Sequence, residues 1–310
     1  MNRLSAIAAA LTFAVGAAAP VVPAQAGPVA SDRCPEVVVV AARGSEQNDG
    51  PEPARYSEQA PWTSNGYEAT HLSAFLHYAE ARHLERAGTS LMADVHVLGL
   101  DDSVYPASLP LPALAEEDEE LTPVQTAQRL GEVLAESPAH VIADNAARGF
   151  VEGVRSGIDG TPDYLAAWEG VTGCTPGYLL LGYSQGAIVL TAQEQALAEQ
   201  GRLVGSLYFG NPLLRPGASP VVGSPERGAG LLAPVPQGML PAASTSTPRL
   251  DYCLRGDFAC DTTVDALSTS LASRAGAHAE YFVTDQRTAD DAYVADTFAD
   301  WINDYTSPHD

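Results

Sequence analysis

Apolar residues in this chain fall into two patterns, short unbroken runs and longer stretches with a period near 3.6. The first interior run, 36–42 (Glu-Val-Val-Val-Val-Ala-Ala), is β-branched and uninterrupted. It predicts a strand buried on both faces, as in a parallel sheet. It ends at Arg43-Gly44-Ser45, and a polar loop follows to about residue 65. Over 66–87, Leu72, Phe75, Leu76 and Ala79 recur on one face and predict a helix. A weakly alternating second strand is predicted over 94–100, then a Pro-rich loop over 101–121 that carries an unbroken acidic run at 116–120. Thr122-Pro123 has the form of an N-cap followed by Pro at the first helical position. Helical patterning follows to Leu134 and again over 139–158. A strand over 177–182, a helix over 187–200 and a buried strand over 204–210 come next. Residues 211–249 hold eight Pro and five Gly and predict an extended loop. A last strand is expected over 249–254 and a closing helix over 298–305.

Strands that alternate with helices predict an α/β fold, a central parallel sheet with helices on both faces. The 310 residues show no internal repeat and no domain boundary, so one domain is expected over 27–310. Residues 1–26 have the form of a secretory signal peptide. Arg3 supplies the positive start, an Ala-rich apolar core runs to residue 19, and Ala24-Gln25-Ala26 is a cleavage site. No later apolar run has membrane-spanning length, so a secreted protein without integral membrane association is expected.

The formal charge is -23, and it becomes -24 when residues 1–26 are removed, since they hold one Arg and no acid. Such a surface makes nucleic acid a poor partner. An even set of cysteines (Cys34, Cys174, Cys253 and Cys260) in an exported chain suggests two disulfides, with three connectivities open. No C-x-x-C or H-E-x-x-H is present, so no metal site is expected. His71, His77 and His83 recur every six residues and do not share a helix face, so they are expected to be surface or packing residues.

Gly182-Tyr183-Ser184-Gln185-Gly186 lies between an apolar strand and a helix. This is the setting of a nucleophile elbow, in which a serine sits on a sharp strand-to-helix turn and glycines tolerate the crowding. On such an elbow the partners follow in the chain order Ser, acid, His. After Ser184 only His278 and the penultimate His309 remain, which makes His278 the base. Asp251, Asp257, Asp261 and Asp265 are candidate acids. Asp257 is singled out by its place in Cys-Leu-Arg-Gly-Asp-Phe-Ala-Cys, 253–260, where a closed loop would hold one carboxylate with little freedom. Asp251 and Asp265 are expected to be surface or helix-start acids.

Taken together these features resemble the cutinases, in particular their actinobacterial secreted relatives. The resemblance rests on Cys34-Pro35 before a Val-rich strand ending Ala-Arg-Gly-Ser, and on Cys174 ten residues before Ser184 in the Gly-Tyr-Ser-Gln-Gly elbow. It rests also on the Cys-bounded loop carrying Asp257, and on His278 followed by Tyr281. It spans roughly 34–305. It implies a single-domain α/β-hydrolase, the pairings Cys34–Cys174 and Cys253–Cys260, and an oxyanion hole from Ser45 and the N–H of Gln185. Two segments, 101–122 and 211–249, are longer than in small fungal cutinases.

The resemblance implies a serine esterase acting on acyl, lipid or polyester esters through Ser184, His278 and Asp257, with no cofactor. For actinobacterial relatives the substrates include mycolate-type esters of the cell envelope. Two other readings share the same residues. One is an acyltransferase with a sugar or lipid acceptor. The other is a non-catalytic surface protein on the same fold.

Overall fold

A computed structural model describes residues 33–48, 50–110, 112, 123–217, 220–223, 229–264, 266 and 276–307. The expected signal peptide, the acidic run 116–120, Thr122, Asp265 and His309 lie outside the described residues. The sheet has six parallel strands: β1 (Val37–Ala42), β2 (Val95–Gly99), β3 (Gly177–Tyr183), β4 (Leu203–Phe209), β5 (Val221–Val222) and β6 (Arg249–Tyr252). Their spatial order is β2-β1-β3-β4-β6-β5. Helices are α1 (Ala69–Ala87), α2 (Pro123–Glu136), α3 (Ala139–Thr172), α4 (Gln185–Thr191), α5 (Glu194–Glu199) and α6 (Ala289–Thr306).

The pleat of the Val-rich strand explains the two-layer core. Val37, Val39 and Ala41 pack with Leu72, Phe75 and Leu76 of α1 and with Val294, Phe298 and Ile302 of α6. Val38, Val40 and Ala42 face the other way, toward Tyr164, Leu165 and Trp168 of α3 and Val189 and Leu190 of α4. All six residues of β1 are fully buried, as a run without polar alternation requires. Strand order reverses between β1 and β3, so the C-terminal ends of these two strands flank the crevice where open α/β sheets place ligands.

The structure departs from the expected elements where tertiary contacts override local pattern. α3 runs past residue 158 to Thr172 despite Pro162. Pro162 has no N–H to offer the Ile158 carbonyl, and Gln193 Nε2 donates to that oxygen instead, at 3.1 Å. The expected single helix over 187–200 is two helices, α4 and α5. Gln193 stands at the break, and Glu194 turns inward to Tyr208, Arg249 and the Ser244 amide. The 211–249 segment is not all loop. It contributes β5, which adds in parallel outside β6, while β6 is the last strand along the chain among the described residues, as expected. α6 begins nine residues earlier than expected, where Thr288 and Asp291 form a capping box.

Both disulfides are present, Cys34–Cys174 and Cys253–Cys260, with Cα–Cα distances of 5.5 and 5.9 Å. No described helix is long and apolar enough to cross a membrane.

Candidate active site

Ser184 stands between β3 and α4 with φ 54° and ψ -118°, a region that non-glycine residues rarely occupy. The strain is held by close packing. A Cβ on Gly186 would lie 2.0 Å from the Ala42 carbonyl oxygen, so only glycine lets α4 start against the end of β1. The same approach brings the elbow beside the Arg43–Ser45 turn.

His278 lies in a short 3-10 turn, Gly276–Ala279, and meets Ser184 from the far side of the crevice. Its Nε2 is 2.9 Å from Ser184 Oγ, and its Nδ1 is 2.9 Å from each oxygen of Asp257. The three groups selected by chain order therefore form one hydrogen-bonded line. Asp257 is fully buried inside the Cys253–Cys260 loop. Its carboxylate also accepts from the Ala259 amide at 2.8 Å and from the Tyr281 hydroxyl at 2.6 Å. Burying a carboxylate is costly unless such donors satisfy it.

Gly210, at the end of β4 with φ 56°, completes the wall. A Cβ there would fall 2.7 Å from His278 Cε1 and 2.8 Å from Asp257 Oδ2. Tyr183 lies beneath the imidazole, 5.0 Å between ring centroids, and its hydroxyl donates to the His278 carbonyl at 2.5 Å. Burial, and then the Asp257 charge, push the Tyr183 phenol up, so it remains a donor. Neither Gly210 nor Tyr183 was marked by the sequence, although Tyr183 occupies the variable second place of the elbow motif.

Ser45 lies in the half-buried turn after β1, and Gln185 is the first residue of α4. The Gln185 side chain is committed elsewhere. Its Nε2 donates to the Ser108 and Phe150 carbonyls, and its Oε1 accepts from Tyr105, leaving only the backbone to face the crevice. Arg43 anchors the turn from behind. It is 1% exposed, pairs with Asp102 and Asn48, and donates to the Leu100 and Tyr105 carbonyls.

Of the described candidate acids, Asp257 is the one whose carboxylate meets His278 Nδ1. Asp251 is not a surface residue. It is 1% exposed, on β6, where it accepts from Asn211 at 2.6 Å and from Arg249 at 3.1 Å. Asp261 is likewise buried, just past the disulfide loop. Among the described residues no cluster of three or more His, Cys, Asp or Glu is arranged to hold a metal ion.

No family model and no curated protein matches this sequence. Solved structures do resemble its fold. A cutinase-like protein from Cryptococcus sp. is 17% identical, with a TM-score of 0.41 over 88% of this chain and 95% of that one. An acetylxylan esterase is 12% identical, at 0.43 over 89% and 100%. Lysin B from Mycobacteriophage D29 is 14% identical, at 0.37 over 90% and 92%. Likeness at this level does not assign a function to the chain.

Proposed function

We propose that the protein is a serine esterase that cleaves carboxylic esters through an acyl-enzyme. The observation that carries this reading is the Ser184–His278–Asp257 line, with both bonds at 2.9 Å and the serine on a strained elbow. Ser184 Oγ adds to the ester carbonyl while His278 Nε2 takes its proton. Asp257 holds Nδ1 protonated, so that Nε2 is free to accept, and it stabilises the imidazolium that forms. The oxyanion is held by Ser45 together with the N–H of Gln185. His278 returns the proton to the leaving alcohol. Water then attacks the acyl carbonyl, with His278 as base, and Ser184 is regenerated. No cofactor takes part.

Acyl, lipid or polyester esters are the substrate class, with cell-envelope mycolate-type esters among them. Secretion, through removal of residues 1–26, belongs to the same reading and is supported by the two disulfides. Transfer to a sugar or lipid acceptor uses the same acyl-enzyme and differs only in what replaces water. A binding-only role leaves the strained serine and the three-donor cage around Asp257 without purpose.

The test is hydrolysis of a chain-length series of p-nitrophenyl esters by the wild type and by Ser184→Ala. Loss on the order of 10³- to 10⁶-fold is expected in the variant. Near-wild-type turnover by Ser184→Ala would rule out the serine mechanism, and product analysis with an added sugar acceptor separates hydrolysis from transfer.

A further inference from the structure

Two turns must keep fixed positions for the proposed chemistry: the one after β1, holding Ser45, and the one carrying His278. They belong to chain segments more than 200 residues apart. One side-chain chain joins them. The Gly44 amide donates to Gln47 Oε1 at 2.9 Å. Gln47 Nε2 and His71 Nδ1 are 2.6 Å apart, and His71 Nε2 is 3.0 Å from the carbonyl oxygen of Ala279, next to His278. The His71 ring also stacks on Tyr183, at 4.7 Å, the same ring that supports His278.

Both ends of this chain are backbone groups, and that fixes its polarity. A backbone N–H only donates, so the oxygen of the Gln47 amide must face Gly44 and its NH₂ must face His71. A backbone carbonyl only accepts, so His71 must carry its proton on Nε2. Nδ1 is then a bare acceptor for Gln47. Each bond is satisfied in one arrangement, with His71 neutral. Protonation of His71 would set two donors against each other at Gln47, whichever way the amide is turned. Burial, with the neighbouring His278 adding to it, holds His71 below the ordinary imidazole range and favours the same state. Among the described residues, Tyr183 on β3 stacks on its ring and His278 in the 3-10 turn acts on it by charge.

We propose that His71, acting with Gln47, is a positioning residue that clamps the Ser45 turn to the His278 turn. It holds the oxyanion donors and the general base in register without touching substrate. The proposal rests on the esterase reading above. Misplacement of such groups by about 1 Å can lower turnover by about 10²-fold.

The first readout does not depend on catalysis. Imidazole ¹H–¹⁵N spectra of the labelled wild type at neutral pH should show His71 neutral and protonated on Nε2. A proton on Nδ1, or a cation, overturns the clamp. Gln47→Glu keeps the acceptor for Gly44 but replaces the NH₂ by a second acceptor, and it should turn His71 into an imidazolium at neutral pH. An unchanged His71 in that variant also overturns the clamp.

The second readout is kinetic. His71→Phe keeps a ring on Tyr183 and removes both hydrogen bonds, and Gln47→Leu breaks the chain on the side of the Ser45 turn. Each should lower kcat for p-nitrophenyl butyrate by on the order of 10- to 100-fold, with KM changed less than about twofold. Affinity for a trifluoromethyl ketone, whose adduct with a serine carries an oxyanion, should fall by a similar factor. A lowered melting temperature with kcat and ketone affinity intact means a structural role only and overturns the proposal. A wild type that hydrolyses no ester overturns the esterase reading instead, and the spectra then decide the clamp by themselves.

Discussion

The Tyr281 hydroxyl donates a 2.6 Å hydrogen bond to Asp257 Oδ2, both residues being fully buried. The same hydroxyl accepts from the Leu254 amide at 2.9 Å, so one phenol ties the base of the disulfide loop to the acid inside it. Burial and the Asp257 charge push Tyr281 well above the usual phenol range, which keeps it a donor. Tyr281→Phe leaves the ring packed on Phe209, 5.7 Å between centroids, and removes only the hydroxyl. A lost hydrogen bond to a charged group should destabilise the fold by about 1.5–3 kcal/mol. Turnover should fall by about tenfold, because Asp257 then holds His278 less firmly. Denaturant unfolding and p-nitrophenyl ester kinetics on the purified variant check both. A variant as stable and as active as the wild type would show that the Ala259 amide and His278 suffice to hold Asp257.

The two disulfides should separate by their effects. Cys253–Cys260 closes a loop with a sequence separation of 7 around Asp257, and Cys34–Cys174 spans 140 residues. In the chain-entropy model the short loop contributes about 2.5 kcal/mol and the long one about 5 kcal/mol. Replacing Cys34 and Cys174 by Ser should therefore lower the melting temperature more. Replacing Cys253 and Cys260 by Ser should lower kcat more, since it loosens the loop that holds Asp257, the proposed acid. The comparison is kcat measured well below each variant's melting temperature. Equal kcat in both double variants would mean that the hydrogen bonds of the short loop hold Asp257 without the disulfide.

Asp251 was expected to be a surface or helix-start acid, and its burial makes its removal costly to the fold. It shares Arg249 with Glu194, both ion pairs being largely removed from solvent. Arg249 also covers the face of Tyr208, at 4.8 Å. Breaking one partner of a buried pair leaves an uncompensated charge and is strongly destabilising, by about 3–5 kcal/mol. Asp251→Asn keeps the shape and part of the hydrogen bonding, so a loss toward the lower end is expected, with kcat of the folded protein unchanged. Thermal melts alongside activity at low temperature test this. Activity lost without a change in stability would instead place Asp251 in the reaction.

What the sequence made legible is what depends on local pattern or chain order. The Val37–Ala42 strand follows from an unbroken β-branched run, and His278 follows from the order of residues after Ser184. The parts that were not legible depend on partners far along the chain. Nothing near Pro162 says that Gln193 will take the freed Ile158 carbonyl, so α3 read as ending early. The two residues of β5 are too few for a periodic signal and pair only because β6 offers an edge. Asp251 has no local feature to mark it as buried, since its burial comes from Arg249 and Asn211 around it. His71, set aside for its six-residue spacing from His77, gains its role from Gln47 and Ala279.

His96 gives the molecule an acid limit that is separate from catalysis. It lies on β2, 3% exposed, with its ring against Trp62 and Trp168. Its Nδ1 is buried without a hydrogen-bond partner. Burial pushes its pKa down to about 4, well below the ordinary value of 6.5. The folded state thus resists a proton that the unfolded chain takes up readily. Stability from this residue is complete above about pH 6.5 and is lost as pH falls toward about 4, since the unfolded state binds more protons in that window. The full difference is about 3 kcal/mol, from 1.36 kcal/mol for each pKa unit. His96→Leu keeps the apolar contacts with the two indoles and removes the titration. Unfolding free energies at pH 7 and pH 4.5 should therefore converge in the variant relative to the wild type, by about 2–3 kcal/mol. The kcat of the folded protein at neutral pH should stay the same in both, because the position 96 ring meets Trp62 and Trp168 and none of Ser184, His278 and Asp257. An unchanged pH dependence of stability in His96→Leu would assign the acid limit to the buried carboxylates instead.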